Sequence, residues 1–482
     1  MKQMNNRQAA IFSIALSAAA MLVLWIYKWP LLQLPFFWDE AWSYAPAVFA
    51  MYENHPCIFP GCIATDLYRG HPLWFYFMNS LLAKIAGFTP FTLHFVSLLT
   101  ATLFSVFFYS FLRSYTNPLF AFTGTVLLLS QEVFIVQSSF LLPEIFVSFM
   151  TMAAAICLVR GRKFWFILFA TLLVLTKEAG FLIAGTMLFT AFMIAVTTEK
   201  RTFLSSLLYF SVLSVPIFAG VVFYLFQKAY CGWYFYPEHV QMFSFHANPL
   251  IPKLMLVRDF TFKAQGRIAV SLITASAVIA LFFLRRRIKT APVAGSMKLT
   301  VILVAVFTFY ALFSALNFLM LRYLLPLVVI FIFLSTVWCY RACAAGFRIS
   351  PWLMCIAIVI SLYSTSVSDN SWIDDVSVNY KDDVIVHQRT VRFMEEHGTQ
   401  PVEIFTHFLM KCYLTRHELF YLQGPAFEEV NTKNVHAAAQ YYIFSNLELH
   451  HPDYDAVKTN DSLVLIKRFD EGQAWCEIYR RK

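Results

Sequence analysis

Two adjacent carboxylates, Asp39 and Glu40, stand in the stretch FFWDEAWSY, between Trp38, Trp42 and Tyr44. Further along, polar side chains recur at the ends of apolar runs: Arg69 and His71, Glu144, Lys177 with Glu178, Tyr236 with Glu238 and His239, and Arg322 with Tyr323. Both signs of charge are represented. A carboxylate that can reach a hydroxyl serves as a general base. Cations beside it can hold a phosphate, as substrate or as leaving group. Aromatic rings can cover a sugar face or a lipid tail. Chemistry on a lipid-linked phosphosugar at a membrane boundary calls for all three.

The elements that must position these groups are membrane helices. Of 482 residues, 59% are hydrophobic and 13% charged, with 52 phenylalanines; soluble domains carry roughly 25% charged residues. Mean hydropathy is +0.62. The fold class expected is a polytopic α-helical membrane protein with 11–13 spans and a small C-terminal soluble α/β domain. Apolar segments cover 10–27, 72–87, 91–113, 118–137, 141–159, 164–176, 179–197, 203–226, 266–284, 298–316, 323–340 and 350–366, several of them shorter than the ~20 residues of a full span. The formal charge of +9 reflects Lys and Arg at cytoplasmic helix ends; no basic stripe points to nucleic acid. Those clusters are Arg160 to Lys163, Lys200-Arg201, Arg285 to Lys289, and Arg341 with Arg348. They place the N-terminus inside and the loops 28–71 and 227–265 outside, together with the short turns at Glu144, Lys177 and Arg322. An inside start and an outside tail need an odd number of crossings, so one segment between 72 and 137 is expected not to cross.

Two domains follow, 1–366 in the membrane and 367–482 on the outer face. In the second, Val384 to Glu396 reads as a helix stopped by Gly398, and 402–406, 441–445 and 463–469 read as strands. Its roughly 115 residues are enough to bury a core of their own. No internal repeat is visible. The nine cysteines form no metal-like spacing. Cys57 with Cys62, and Cys412 with Cys476, are the pairs that could close disulfides in an oxidising compartment.

Four stretches carry a resemblance to the GT-C class of integral-membrane glycosyltransferases, in the branch of protein O-mannosyltransferases and aminoarabinose (lipid A) transferases. They are FWDEAWSY after the first helix, RGHPLWFYF at 69–77, LVLTKEAGFLI at 173–183 and RYLLPLV at 322–328. In order and spacing they span residues 10–365. The resemblance implies an inverting transfer of a sugar from a polyprenyl-phosphate donor to an acceptor hydroxyl, the acceptor being a lipid, a glycan or a protein. Asp39 would be the general base and Glu40 its neighbour in catalysis. His71 takes the place of a family Lys or His near the donor phosphate. Lys177 and Arg322 are candidates for phosphate stabilisation; Arg69, Glu144, Tyr236, His239 and Tyr323 join them as substrate-binding residues. The chain departs from the family in having one proline after His71, Glu-Ala-Gly after Lys177, and Pro143-Glu144 where relatives have an Asp. No cofactor and no required metal is expected, although a divalent ion is compatible with the acidic residues. The expected location is a bacterial inner membrane, with the site on the periplasmic or extracellular side.

Each residue also has an ordinary explanation. Asp39 suits a helix N-cap, worth about 1 kcal/mol. His71 and Glu144 adjoin prolines that open helices, and a carboxylate is favoured at a helix N-terminus. Lys177 and Glu178 could pair with one another, Arg322 could anchor in the interface, and the aromatic residues could form a membrane belt. The competing function is a secondary transporter or lipid flippase. Such proteins place ionisable groups near the bilayer midplane and commonly contain repeats; here the ionisable groups lie at helix ends. An assembly scaffold is the third reading.

Overall fold

A computed structural model describes residues 6–482 apart from 201, 244–246, 285–295, 348–350, 368–374, 399–401, 433–438 and 449–451. The expected basic residues Arg201, Arg285 to Lys289 and Arg348 lie outside the described residues. Among the described residues, five helices are long and apolar enough to cross a bilayer: Ala10–Gln33, Pro90–Arg113, Glu178–Thr197, Met297–Leu316 and Leu321–Ala344. Two bent pairs qualify when each is taken as one span, Phe203–Leu213 with Val215–Cys231 (55°) and Leu250–Phe262 with Arg267–Phe283 (83°). Four shorter apolar helices complete the bundle: Pro118–Leu129, Glu144–Val159, Lys163–Val174 and Trp352–Ser366. This is an integral membrane protein. Val23, Ile26, Phe189, Phe282 and Phe283 stand exposed on its periphery, as lipid contact requires, whereas Leu321–Ala344 runs through the middle, largely buried.

Contacts gather several helix ends at one end of the bundle. Asp39, Glu144, Lys177, Arg322 and Asp375 follow or precede different helices yet meet one another, so those helix ends share a side. The helix Trp74–Ala86 has both of its ends there too. Its first amide donates to the carbonyl of Leu175 at 3.0 Å, and Phe88, just past its end, packs on Phe36 and Phe420. It returns to the side it left. With the two bent pairs and the four shorter apolar helices counted, the described residues offer eleven candidate spans by length and composition, and Trp74–Ala86 is not among them.

The C-terminal domain packs the helix Tyr380–His397 on a five-stranded sheet. Its strands are β1 Ile404–Thr406, β2 Val430–Asn431, β3 Tyr441–Ser445, β4 Leu463–Glu471 and β5 Ala474–Arg481, in the order β2-β1-β3-β5-β4. β1 pairs in parallel with β2 and β3, and β5 runs antiparallel to β3 and β4. The expected helix and three strands are present; β2 and β5 are additional. The expectation of a self-contained core needs correction. Apart from a small cluster around Phe405 and Phe444, the domain's buried residues, among them Val384, Tyr413 and Ile478, are continuous with Phe36, Phe37 and Leu141 of the membrane domain. The domain is docked on the loops that carry the polar residues. Cys57 and Cys62 are disulfide-bonded, with Cα atoms 6.1 Å apart, while Cys412 and Cys476 are buried free thiols.

Candidate active site

Asp39 is delivered by a sharp change of direction. Trp38 has φ +51°, a left-handed conformation that bulky residues seldom adopt. Residues Glu40–Tyr44 then form a π-helical turn, a rare geometry often found at functional sites. Asp39 sits at the cap position but makes no capping hydrogen bond. Its Oδ1 instead accepts from Trp42 Nε1 at 2.7 Å, and its Oδ2 accepts from Arg322 Nη2. Burial pushes the Asp39 carboxyl up, but the Arg322 charge, the hydrogen bonds from Trp42 and Arg322, and the Lys177 charge outweigh it and hold it below the usual carboxylate range.

Arg322 is the hub. It is fully buried, and its guanidinium meets three carboxylates: Asp39 through Nη2, Asp375 through Nη1, and Glu144 through Nε at 3.4 Å. Nη2 also donates to the Tyr323 hydroxyl at 3.2 Å. Lys177 Nζ donates to Glu144 Oε1 at 3.0 Å and lies 3.5 Å from the centroid of the Tyr323 ring. Burial disfavours the Lys177 charge, but Glu144, Tyr323, Tyr310 and Glu178 more than compensate and raise its pKa. Arg322 is thus no mere interfacial anchor, and Lys177 is not spent on Glu178. Both expected cations, however, are already satisfied by carboxylates. Among the described residues, no three His, Cys, Asp or Glu side chains are arranged to hold a metal ion.

Glu40 points the other way. It is fully buried, accepts from the amides of Phe37 (3.1 Å) and Leu141, and lies 3.2 Å from His94 Nε2. Successive residues of a helical turn project about 100° apart, so two neighbours cannot both face one chamber. Glu40 ties the loop to the bundle while Asp39 faces outward.

A second group lies across the chamber. His71 Nδ1 is 2.6 Å from Glu178 Oε2, and its ring stacks near Tyr44 and lies 5.4 Å from that of His239. Arg69 has φ +52°, spreads its guanidinium 4.0 Å from the Trp42 ring centroid, and reaches Glu238 at 2.9 Å. Tyr236 stands 5.6 Å from that guanidinium. Burial, with help from His71, Arg69 and Lys177, lowers the His239 pKa to about 4, so its ring is neutral at pH 7.

These residues border two cavities. A chamber of about 260 Å³ is lined by the polar groups of Asp39, Arg69, His71, His239 and Tyr323, by the aromatic Trp38, Trp42 and Tyr44, and by the apolar Met242, Phe318 and Met320, with Phe408 and Leu409 of the C-terminal domain. An apolar groove of about 800 Å³ is walled by Phe181, Leu182, Val221, Tyr224, Leu225 and Phe235. Arg69 and His239 line both. A molecule with a long apolar tail, an anionic link and a polar head would place the link at these two side chains and the head before Asp39. Sequence reasoning missed two members of the site. Trp42 sits three residues after Asp39 and so on the same side of a helical turn, a signal that was available. Asp375 had none.

No protein-family model matches the chain, and no curated protein matches its sequence. Its fold does match solved structures. ArnT from Cupriavidus metallidurans bound to undecaprenyl phosphate aligns with a TM-score of 0.56 at 13% identity, over 96% of this chain and 97% of that one. The apo state of the same protein gives 0.56 at 13% identity over 98% of each chain. The oligosaccharyltransferase AglB from Archaeoglobus fulgidus, in complex with an inhibitory peptide and a dolichol-phosphate, gives 0.48 at 12% identity, over 90% of this chain and 69% of that one. The chain thus shares its overall fold with ArnT over nearly the whole length of both proteins.

Proposed function

We propose that the protein is an inverting glycosyltransferase that moves a hexose or pentose from a polyprenyl-phosphate donor to an acceptor hydroxyl at the outer face of the membrane. The observation that carries this reading is the junction of the two cavities. Arg69 and His239 line both a tail-sized apolar groove and a chamber whose wall includes the largely buried Asp39 carboxylate. The donor's tail would occupy the groove, its phosphate the mouth beside Arg69, His71 and His239, and its sugar the chamber. Tyr236 lines the groove beside that mouth.

In the reaction the acceptor oxygen bonds to the anomeric carbon from the side opposite the phosphate. The carbon–oxygen bond to phosphate breaks, the electron pair leaves with the phosphate, and the hydroxyl proton passes to Asp39. Each Asp39 oxygen already accepts one hydrogen bond and keeps a second lone pair for that proton. A carboxylate of low pKa is adequate here, because the hydroxyl becomes strongly acidic only as its bond to carbon forms. Arg69 is the cation of the site whose carboxylate partner faces solvent. Its partner Glu238 is more than half exposed, and an exposed pair is worth little, so exchange for a phosphate costs little. Arg322, Lys177, Glu144 and Tyr323 form the frame that holds Asp39, and Glu40 positions the loop from behind. In this scheme Arg69, which lines both cavities, supplies the positive charge that meets the phosphate.

The orientation has support as well. Arg160, Arg162, Lys163, Lys200 and Arg341 lie at the bundle end opposite Asp39, which the positive-inside bias assigns to the cytoplasm. The Cys57–Cys62 disulfide is in a loop on the Asp39 side, as suits an oxidising compartment. A bacterial inner membrane with a periplasmic site fits both. Phe408 and Leu409 give the C-terminal domain a wall of the chamber, and with it a hand in acceptor choice.

The test uses proteoliposomes and radiolabelled undecaprenyl-phosphate hexoses and pentoses, with lipid, glycan and peptide acceptors. Wild type is expected to consume one donor. Asp39→Asn should lower transfer by about 10²-fold or more, the range for a lost general base, while still inserting and folding. A fully active Asp39→Asn sinks the assignment. No consumption of any donor, with flux of the lipid across the vesicle, supports the transporter instead.

A further inference from the structure

Asp375 belongs to neither the membrane helices nor the sheet. It lies on the tether between Pro351–Ser366 and Tyr380–His397, and its side chain is 2% exposed. The tether is fastened at several points. The Asp375 carbonyl accepts from Gln137 Nε2 at 2.6 Å, and the Val378 amide donates to Glu132 Oε1 at 3.0 Å. Tyr380 packs edge-on against Phe140 at 4.6 Å and beside Phe37, two residues before Asp39. The Asp375 carboxylate takes Nη1 of the guanidinium whose Nη2 holds Asp39.

The charges explain what this does. Facing Asp39 across the hub are Arg322 and Lys177, against Glu144 and Asp375, with the neutral phenols Tyr323 and Tyr44 beside them. Arg69 and His71 border the chamber on its other side. Three carboxylates thus share two buried cations. One guanidinium divided among three anions holds each less firmly than it would hold one or two.

We propose that Asp375 is a positioning residue of the transfer site: by sharing Arg322 with Asp39 it sets how firmly the proton-accepting carboxylate is held, so the site is complete only when the tether of the C-terminal domain is docked. The proposal rests on Asp39 being the proton acceptor. It adds a residue acting through Arg322, and it gives the C-terminal domain a part in chemistry as well as in lining the chamber.

The test reads Asp39 directly. Dicyclohexylcarbodiimide reacts with protonated buried carboxyls, so the pH midpoint for its attachment to Asp39, followed by peptide mass spectrometry on the full chain in nanodiscs, reports Asp39 protonation without any turnover. In Asp375→Asn the midpoint is expected to fall by about one pH unit, a tenfold loss of proton affinity. Asp375→Glu should restore it. Where a radiolabelled undecaprenyl-phosphate sugar is turned over, Asp375→Asn should lower kcat at least about fivefold and leave the donor KM within about twofold, as expected for a group acting on the chemical step. An unmoved midpoint in Asp375→Asn overturns the proposal, whatever happens to activity. Should that variant not fold, Gln137→Ala loosens the tether without removing a charge and should shift the midpoint the same way; no shift there overturns it equally. A shifted midpoint in a protein that transfers nothing would instead reject the glycosyltransferase reading and keep the Arg322 coupling.

Discussion

Arg322→Gln is the sharpest perturbation of the charge frame. The substitution removes a fully buried guanidinium and strands Asp39, Glu144 and Asp375, whose side chains are 17%, 3% and 2% exposed. Removing one partner of a buried pair typically costs about 3–5 kcal/mol. A bound from proton uptake agrees. The stranded site can relieve itself by protonating Asp39, and raising a carboxyl from an ordinary pKa near 3.9 to pH 7 costs about 4 kcal/mol at 1.36 kcal/mol per unit. The sign with pH follows. Asp39 in the folded wild type is held below its unfolded pKa, so its stabilisation is full above the unfolded value and is lost as pH falls through the folded one. The gap between wild type and Arg322→Gln should therefore be widest at neutral pH and narrow toward pH 4. The buried free thiols Cys339, Cys412 and Cys476 supply the assay, because a thiol-reactive dye reports their exposure on heating. Arg322→Lys, which keeps a charge but loses the fork, should fall between the two. An Arg322→Gln protein that melts with wild type at pH 7, or a gap that widens in acid, would refute the assignment of Arg322 as the hub.

Two further outcomes test the groove and its mouth. Leu182→Trp intrudes on the apolar groove; displacing two methylenes of a lipid tail at about 0.8 kcal/mol each should raise the donor KM about tenfold with kcat nearly unchanged, read from initial rates against undecaprenyl-phosphate sugar. Gly70→Ala places a Cβ 3.0 Å from the Trp233 ring and 3.1 Å from Tyr236 Cβ, at φ +75°. That backbone alone costs about 1–2 kcal/mol, and the displaced aromatics should weaken donor binding at Arg69, seen as a higher donor KM together with a lower Tm.

The sequence made the helical segments legible because membrane burial demands long apolar runs and leaves breaks where polar groups gather. It also showed Asp39, Glu144, Lys177 and Arg322 as separate anomalies, and these are the residues that meet. What it hid was direction. Asp39 and Glu40 look equivalent in a string of letters, yet one faces the chamber and the other the core, and the split follows from the turn they share. Lys177 and Arg322 read as free cations for phosphate because their carboxylate partners lie 33 and up to 283 positions away. Strand β5 escaped notice although Gly472, at φ +54°, marks the hairpin that starts it; its last residues, Arg480 and Arg481, break the apolar alternation of a strand. Asp375 was invisible for a different reason. It stands beside Asp374 and near Asp369 in a polar stretch, and only the docking of the tether singles it out.

The same separation in sequence has a consequence for assembly. Arg322 enters a position with no exposure to water, and a buried guanidinium is costly until its donors are matched. Asp39 and Glu144 are in place before Arg322 is made; Asp375 is not. The charge frame therefore closes only after the final membrane helix has crossed and its tether has turned back over Phe37 and Phe140. A bundle that lacks this last segment has Nη1 of Arg322 without its carboxylate, and Asp39 is then held by a guanidinium shared among fewer anions. Asp39 is thus linked, through the guanidinium it shares with Asp375, to the tether that joins the last membrane helix to the C-terminal domain.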